Sequence, residues 1–107
     1  GKMRALAVTS VKRNPALPKV PTIAETLPGY DAEAWYGVIA PAKTPAPIVA
    51  KVQEEIVKLL RTTDLKDKLL SQGLDAVGDT PAEFRAYMQR DIAKWAKVVK
   101  ASGARID

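Results

Sequence analysis

The sequence predicts an α/β fold, in the order strand, long loop, strand, helix, helix, short strand, helix. Three observations lead there. The composition, with 47% apolar and 27% charged residues, is that of an ordinary globular domain, so a packed core is expected. Two stretches are rich in apolar, β-branched or aromatic residues over strand-like lengths. Three later stretches place apolar residues at helical spacing behind capping residues. With 107 residues the chain has room for one domain of ordinary size, or for a piece of something larger.

Residues 2–9 open the chain, and their almost wholly apolar end, Ala5 to Val8, suits a strand buried on both faces, as in a parallel sheet. The chain starts abruptly on this strand, as though entered in the middle. From Ser10 to Gly29 four prolines, Pro15, Pro18, Pro21 and Pro28, cut the sequence into short pieces. A connection of that length is usually functional, and residues 21–26 leave room in it for one or two helical turns. Residues 34–40 form the second expected strand, with Gly37 in its middle. A glycine there weakens a strand unless the strand bends or a backbone or ligand comes close.

Thr44 is the expected N-cap of the first helix, with Pro45 in its first position. Ile48, Val49, Val52, Ile56, Leu59 and Leu60 make one face of it, up to about Arg61. Asp64 is placed to cap a shorter helix with Leu65, Leu69 and Leu70 inward, and Gly73 to close it in a left-handed conformation. Residues 74–77 read as a short strand. Thr80-Pro-Ala-Glu83 is a capping box, followed by the stripe Phe84, Tyr87, Met88, Ile92, Trp95, Val98 and Val99. Lys94, Lys97 and Lys100 gather toward the negative end of that helix, and Gly103 stops it.

The chain has neither Cys nor His, which removes thiolate nucleophiles, the commonest metal ligand and the usual general base at neutral pH. No Gly-x-Ser-x-Gly, phosphate-binding loop or dinucleotide fingerprint is present, so neither an enzyme, a metal site nor a cofactor is expected. The acidic pair Glu54/Glu55 falls on a polar helix face and is expected to be solvated. Seventeen Lys and Arg against twelve Asp and Glu give +5, but the charge is dispersed, and nucleic acid is not an expected partner. The longest apolar runs are a few residues, far short of the roughly 20 that a membrane-spanning helix requires.

One constellation stands out. Thr9 and Ser10, with Lys12 and Arg13 behind them, follow the carboxyl end of the first strand, the place where open α/β sheets bind ligands. Hydroxyls, free backbone N–H groups and a nearby cation suit a carboxylate. Trp35, Tyr36 and Gly37 are grouped with them as candidate ligand-binding residues. The same Thr-Ser pair also fits the plain beginning of a loop.

Arg4-Ala-Leu-Ala-Val-Thr-Ser10, Arg13-x-Pro-Ala-Leu-Pro18-x-Val-Pro21-Thr-Ile-Ala-Glu25, Leu27-Pro-Gly-Tyr30, Trp35-Tyr-Gly37, Ala40-Pro-Ala-x-Thr-Pro-Ala-Pro47 and Ile92-x-x-Trp95-x-x-Val98 together resemble the Bug/TctC family. These are the extracytoplasmic solute-binding proteins of tripartite tricarboxylate transporters, and the resemblance covers only the C-terminal third or so of a full-length member. It implies the C-terminal part of a two-lobed periplasmic-binding-protein fold of type II. Residues 1–30 would end the second lobe, residues 31–41 would be a crossover strand, and residues 42–107 would return as helices and a short strand on the first lobe. It further implies a periplasmic protein that closes on a small carboxylate, an organic acid or amino acid, and presents it to membrane permease subunits, without cofactor. Thr9, Ser10, Trp35, Tyr36 and Gly37 would then line the cleft. A chain carrying only part of that fold is expected to self-associate through exposed strand edges and the apolar stripe. The alternative reading is a small basic helical module that binds an acidic protein or nucleic acid.

Overall fold

A computed structural model of the chain describes residues 3–105. Its regular structure is a short 3-10 helix, Ile23–Glu25, followed by α1 (Ala46–Leu60), α2 (Thr63–Ser71) and α3 (Pro81–Ser102). The 3-10 helix falls within the residues 21–26 that the prolines leave free to turn.

The helix ends show which side chains won the local competition for backbone groups. Thr44 does not cap α1. Its N–H closes the preceding turn onto the Pro41 carbonyl at 2.9 Å, and Pro45, with ψ 136°, is the last non-helical residue. Pro47 then occupies the first turn, where a missing N–H leaves nothing unsatisfied. Nor does Asp64 cap α2, which begins one residue earlier. The N-cap is Thr62, and its hydroxyl donates back to Leu59 O at 2.6 Å, finishing α1 instead. The end of α2 is as expected: Gly73, at φ 77°, donates to Leu70 O at 2.9 Å and Leu74 to Leu69 O at 3.0 Å, a Schellman closure. In α3 the capping box is complete. Thr80 N–H donates to Glu83 Oε2 at 2.9 Å, and Glu83 N–H to Thr80 Oγ1 at 3.3 Å. Hydrogen bonds from the Thr80 hydroxyl and N–H also hold the Glu83 carboxyl below its ordinary value.

The expected strands are not there. Among the described residues, pairing at 2–9, 34–40 and 74–77 reduces to one parallel bridge, Val8 with Thr22, made by Val8 N–H to Pro21 O at 2.9 Å and Ile23 N–H to Val8 O at 3.0 Å. Lys2, in the first of those stretches, lies outside the described residues. The physical reason is that a strand belongs to a pair: a segment apolar on both faces asks for a neighbour on each side, and no second strand is present among the described residues.

The expected packed core is likewise absent: among the described residues no apolar side chain is buried, and the single buried residue is Thr22, 3% exposed. The radius of gyration is 16.9 Å, against about 13 Å for a compact domain of this length. The apolar faces of α1 and α3 are not packed on each other. α1 touches α2, and the connection into α3 passes over α1 at Gly78, where an added side chain would meet Val57 and Leu60.

Two devices fix the N-terminal half. Arg13 grips Glu25 with two parallel bonds, Nε to Oε1 at 2.8 Å and a terminal nitrogen to Oε2 at 2.7 Å, and its other nitrogen donates to Pro18 O. Glu25 also accepts the Thr22 N–H, so one carboxylate closes the loop and caps the 3-10 helix. The second device is the extended stretch that follows. Trp35 sets its ring edge-on to Phe84 and Tyr87 of α3, at centroid separations of 5.4 and 5.8 Å. Gly37 comes so close to Phe84 that a Cβ would lie 2.1 Å from the ring. Its φ is not positive, so the lack of a side chain, rather than backbone freedom, is what the position uses.

Two outcomes are expected. Gly37→Ala should destabilise the chain by about 1–3 kcal/mol, as overpacking does, and Phe84→Leu should relieve much of that cost when the two are combined. Denaturant unfolding read by tryptophan emission measures it, and strict additivity of the two changes would contradict this contact. The Arg13 bonds lower the Glu25 carboxyl from 4.5 to about 2. The folded chain therefore binds that proton less readily than the unfolded one, and the contribution of Glu25 is complete above pH 4.5 and lost as pH falls through about 2. Unfolding midpoints of the parent and Glu25→Gln should differ by a constant above pH 4.5 and converge toward pH 2; a gap that widens with acid would be the wrong sign.

Candidate functional site

The five candidate residues fall on two neighbouring stations. Thr9 is exposed, and its carbonyl accepts the Ala32 N–H at 3.2 Å. Ser10 is half-buried and donates its hydroxyl proton to Lys12 O at 2.7 Å. The next residue, Val11, donates its N–H to Glu33 Oε1 at 3.1 Å. Thr9 and Ser10 are thus held against residues 32 and 33, immediately before Trp35. The Thr9 hydroxyl carries none of these bonds.

Trp35 and Gly37 lie against α3. The Trp35 indole N–H donates to Asp91 Oδ2 at 2.9 Å. Tyr36 points the other way and is 83% exposed, as alternation along an extended segment requires. The closeness that a glycine at 37 suggested is real, and what approaches it in the structure is the Phe84 ring. No hydrogen bond or ion pair among the described residues joins Thr9 or Ser10 directly to Trp35, Tyr36 or Gly37.

The sequence reading missed the polar groups that hold this stretch in place. Lys94 Nζ lies 2.8 Å from Asp91 Oδ1 and 3.1 Å from Asp31 Oδ2, bridging α3 to the start of the segment. Asp91 is held below its ordinary value, first by the Lys94 hydrogen bond and then by that from Trp35; Lys94 is raised, first by Asp91. The Tyr87 hydroxyl is pushed up by burial and by the surrounding charge of Asp91, Glu33 and Asp31, so it stays protonated. A signal was available: Asp91 and Lys94 lie seven residues after Phe84 and Tyr87, on the same helix face, where Lys94 had been assigned to the helix dipole alone.

Two further sequence readings can be placed. Arg13, the cation set beside Thr9 and Ser10, is committed to Glu25. Glu54 and Glu55 are the solvated pair they were expected to be, laddered with Lys51 and Lys58 at 2.8–3.8 Å on the exposed face of α1. No cluster of three or more acidic residues able to hold a metal occurs among the described residues, and no helix is long and apolar enough to cross a membrane.

Against known proteins, the family described as tripartite tricarboxylate transporter family receptor, TctC, matches residues 1–104. The UPF0065 protein in the tcbD-tcbE intergenic region of Pseudomonas sp. strain P51 is 37% identical over 100 residues, covering 92% of this chain and 30% of that protein. Protein BugT of Bordetella pertussis is 34% identical over 107 residues, 99% of this chain and 33% of BugT. Among solved structures, R. palustris Rpa4515 with adipate superposes with a TM-score of 0.79 at 37% identity, over 92% of this chain and 33% of that one. The periplasmic binding protein BugD gives 0.76 at 30% identity, over 91% and 33%. The chain therefore spans about a third of the length of these relatives. With a match that runs through all but its last three residues, the chain belongs to the tripartite tricarboxylate transporter receptor family, the Bug/TctC solute-binding proteins.

Proposed function

We propose that this chain serves to capture a small carboxylate, an organic acid or an amino acid, in the periplasm and to deliver it to the membrane permease of a tripartite tricarboxylate-type transporter. It acts as a binding protein and carries out no covalent chemistry. The observation that carries the reading is its likeness, at a TM-score of 0.79, to Rpa4515, which was solved with adipate. On this reading residues 1–30 end one lobe, residues 31–41 cross between lobes, and residues 42–107 return to the other. Thr9, Ser10, Trp35, Tyr36 and Gly37 then line the cleft.

The chemistry of those positions supports a carboxylate. Among the described residues the Thr9 and Tyr36 hydroxyls make no hydrogen bond, the Ser10 hydroxyl would have to leave Lys12 O to reach a ligand, and the N–H groups of residues 33–40 are likewise unpaired. With the Arg13 guanidinium already occupied by Glu25, such a ligand is held by neutral donors, and each bond contributes about 1 kcal/mol, roughly a factor of five in affinity. Asp91, Lys94 and Asp31 act indirectly, by fixing the segment that presents Tyr36.

Titration calorimetry of a protein carrying these residues within the full length of its relatives should show binding to adipate or another member of a mono-, di- and tricarboxylate panel. Thr9→Val and Tyr36→Phe should each weaken it by roughly five-fold. A flat response across the whole panel would overturn the reading. The 107-residue chain alone should give no measurable heat, and full affinity from it would contradict the assignment of residues 1–30 and 42–107 to two lobes.

A further inference from the structure

We infer that Asn14 is a latch between the two lobes, its side-chain amide holding the loop of residues 13–25 against the end of α2. The inference rests on the two-lobe reading of residues 1–30 and 42–107. Among the described residues, one hydrogen bond joins those two stretches directly: Asn14 Nδ2 donates to Gly73 O at 3.3 Å. The other polar links that residues 1–30 make onward run to the crossover, from Ala32 N–H to Thr9 O and from Val11 N–H to Glu33.

Both sides of the bond are fixed by their own elements. Asn14 Oδ1 accepts the Ala16 N–H at 2.8 Å and the Asn14 carbonyl accepts the Leu17 N–H at 2.9 Å, so the turn leaves the NH2 end to face outward. Arg13 beside it is gripped by Glu25, so the loop carries Asn14 as one piece. Opposite, Gly73 stands at φ 77° and Leu74 N–H returns to Leu69 O, which leaves the Gly73 carbonyl outside the helix with Asn14 as its donor. The carbonyl end of a helix carries partial negative charge and suits an amide donor.

Position decides what this bond does. Asp31 and Trp35 fasten the crossover to α3, so a swing of residues 1–30 about the Thr9 and Val11 links breaks the Asn14 bond and leaves that clamp intact. The arrangement of both stretches superposes over 92% of the chain, at a TM-score of 0.79, on Rpa4515 solved with adipate, which supports its being the ligand-holding form. Asn14 is not one of the five cleft positions. It acts on affinity through the population of the closed form, so its loss weakens every ligand by one common factor.

Pulsed electron paramagnetic resonance tests the latch on a protein carrying these residues within the full length of its relatives. Spin labels are attached through Lys19→Cys on the loop and Lys68→Cys on α2, both exposed positions. Without added carboxylate, the ratio of short to long distances should fall about two- to five-fold in Asn14→Asp, which keeps the acceptor for Ala16 N–H and lacks the donor. Titration calorimetry should show that variant weakening adipate and every other bound carboxylate equally. Should circular dichroism show Asn14→Asp misfolded, Asn14→Ser, also a turn former with an acceptor oxygen, is read the same way. An unchanged distance ratio, or a parent with no short-distance population, overturns the latch even where carboxylates bind. Weakening that differs from ligand to ligand overturns it too, since Asn14 would then touch the ligand. A flat carboxylate panel overturns the binding reading instead, and the distance ratio still decides the latch.

Discussion

The attachment of residues 31–37 to α3 is what places the N-terminal half on the longest helix of the chain. The attachment has an apolar part and a polar part that act together. Trp35 supplies both, stacking its ring edge against Phe84 and Tyr87 and giving its N–H to Asp91. Lys94 then ties Asp91 to Asp31, so the segment is pinned at its beginning as well as its middle. From there the order propagates backward: Ala32 holds the Thr9 carbonyl, Glu33 holds the Val11 N–H, and Val8 holds the turn around Thr22. The polar members are half-buried rather than enclosed, with the Asp91 side chain 11% exposed, so partial burial strengthens these pairs while their geometry makes the arrangement specific.

The shortage of buried apolar area sets the character of the remainder. α1 and α2 form a locally closed pair, finished by the Thr62 hydroxyl and the Gly73 closure, and they need little from the rest of the chain. On α3 Phe84, Tyr87, Met88, Asp91 and Lys94 are half-buried, whereas Ile92, which the sequence placed on the inward stripe, is 69% exposed and Trp95, Val98 and Val99 are exposed beyond it. A helix of 22 residues can bear that difference because its backbone bonds are internal and both its ends are capped.

How much was legible in the sequence follows from the range of the forces involved. Helix positions, the Thr80 to Glu83 box and the glycine stops were readable because capping works within four residues. Thr44 and Asp64 were misjudged as caps because a competing acceptor or turn lay one or two residues away, a contest that composition does not rank. The strands were misjudged for a different reason: residues 5–8 and 34–40 have strand composition, but pairing is decided by what lies alongside. Within the site, what comes close to Gly37 is the Phe84 ring rather than the backbone or ligand expected there, and Trp35 packs on the same helix. Asp91 and Lys94 escaped notice because charged residues on a helix are usually solvated, and their role shows only against Asp31, some sixty positions earlier.

The spacing of that clamp along the chain carries a kinetic consequence. Trp35 and Asp91 are 56 residues apart, and Asp31 and Lys94 are 63 apart, whereas the α1 and α2 closures span five residues or fewer. Short loops close in microseconds or less, while a loop of this length meets a larger entropic barrier before any contact rewards it. The helices therefore assemble first and the clamp forms last. Opening the clamp would release residues 31–37 from α3 and lengthen the exposed stretch that a protease can reach.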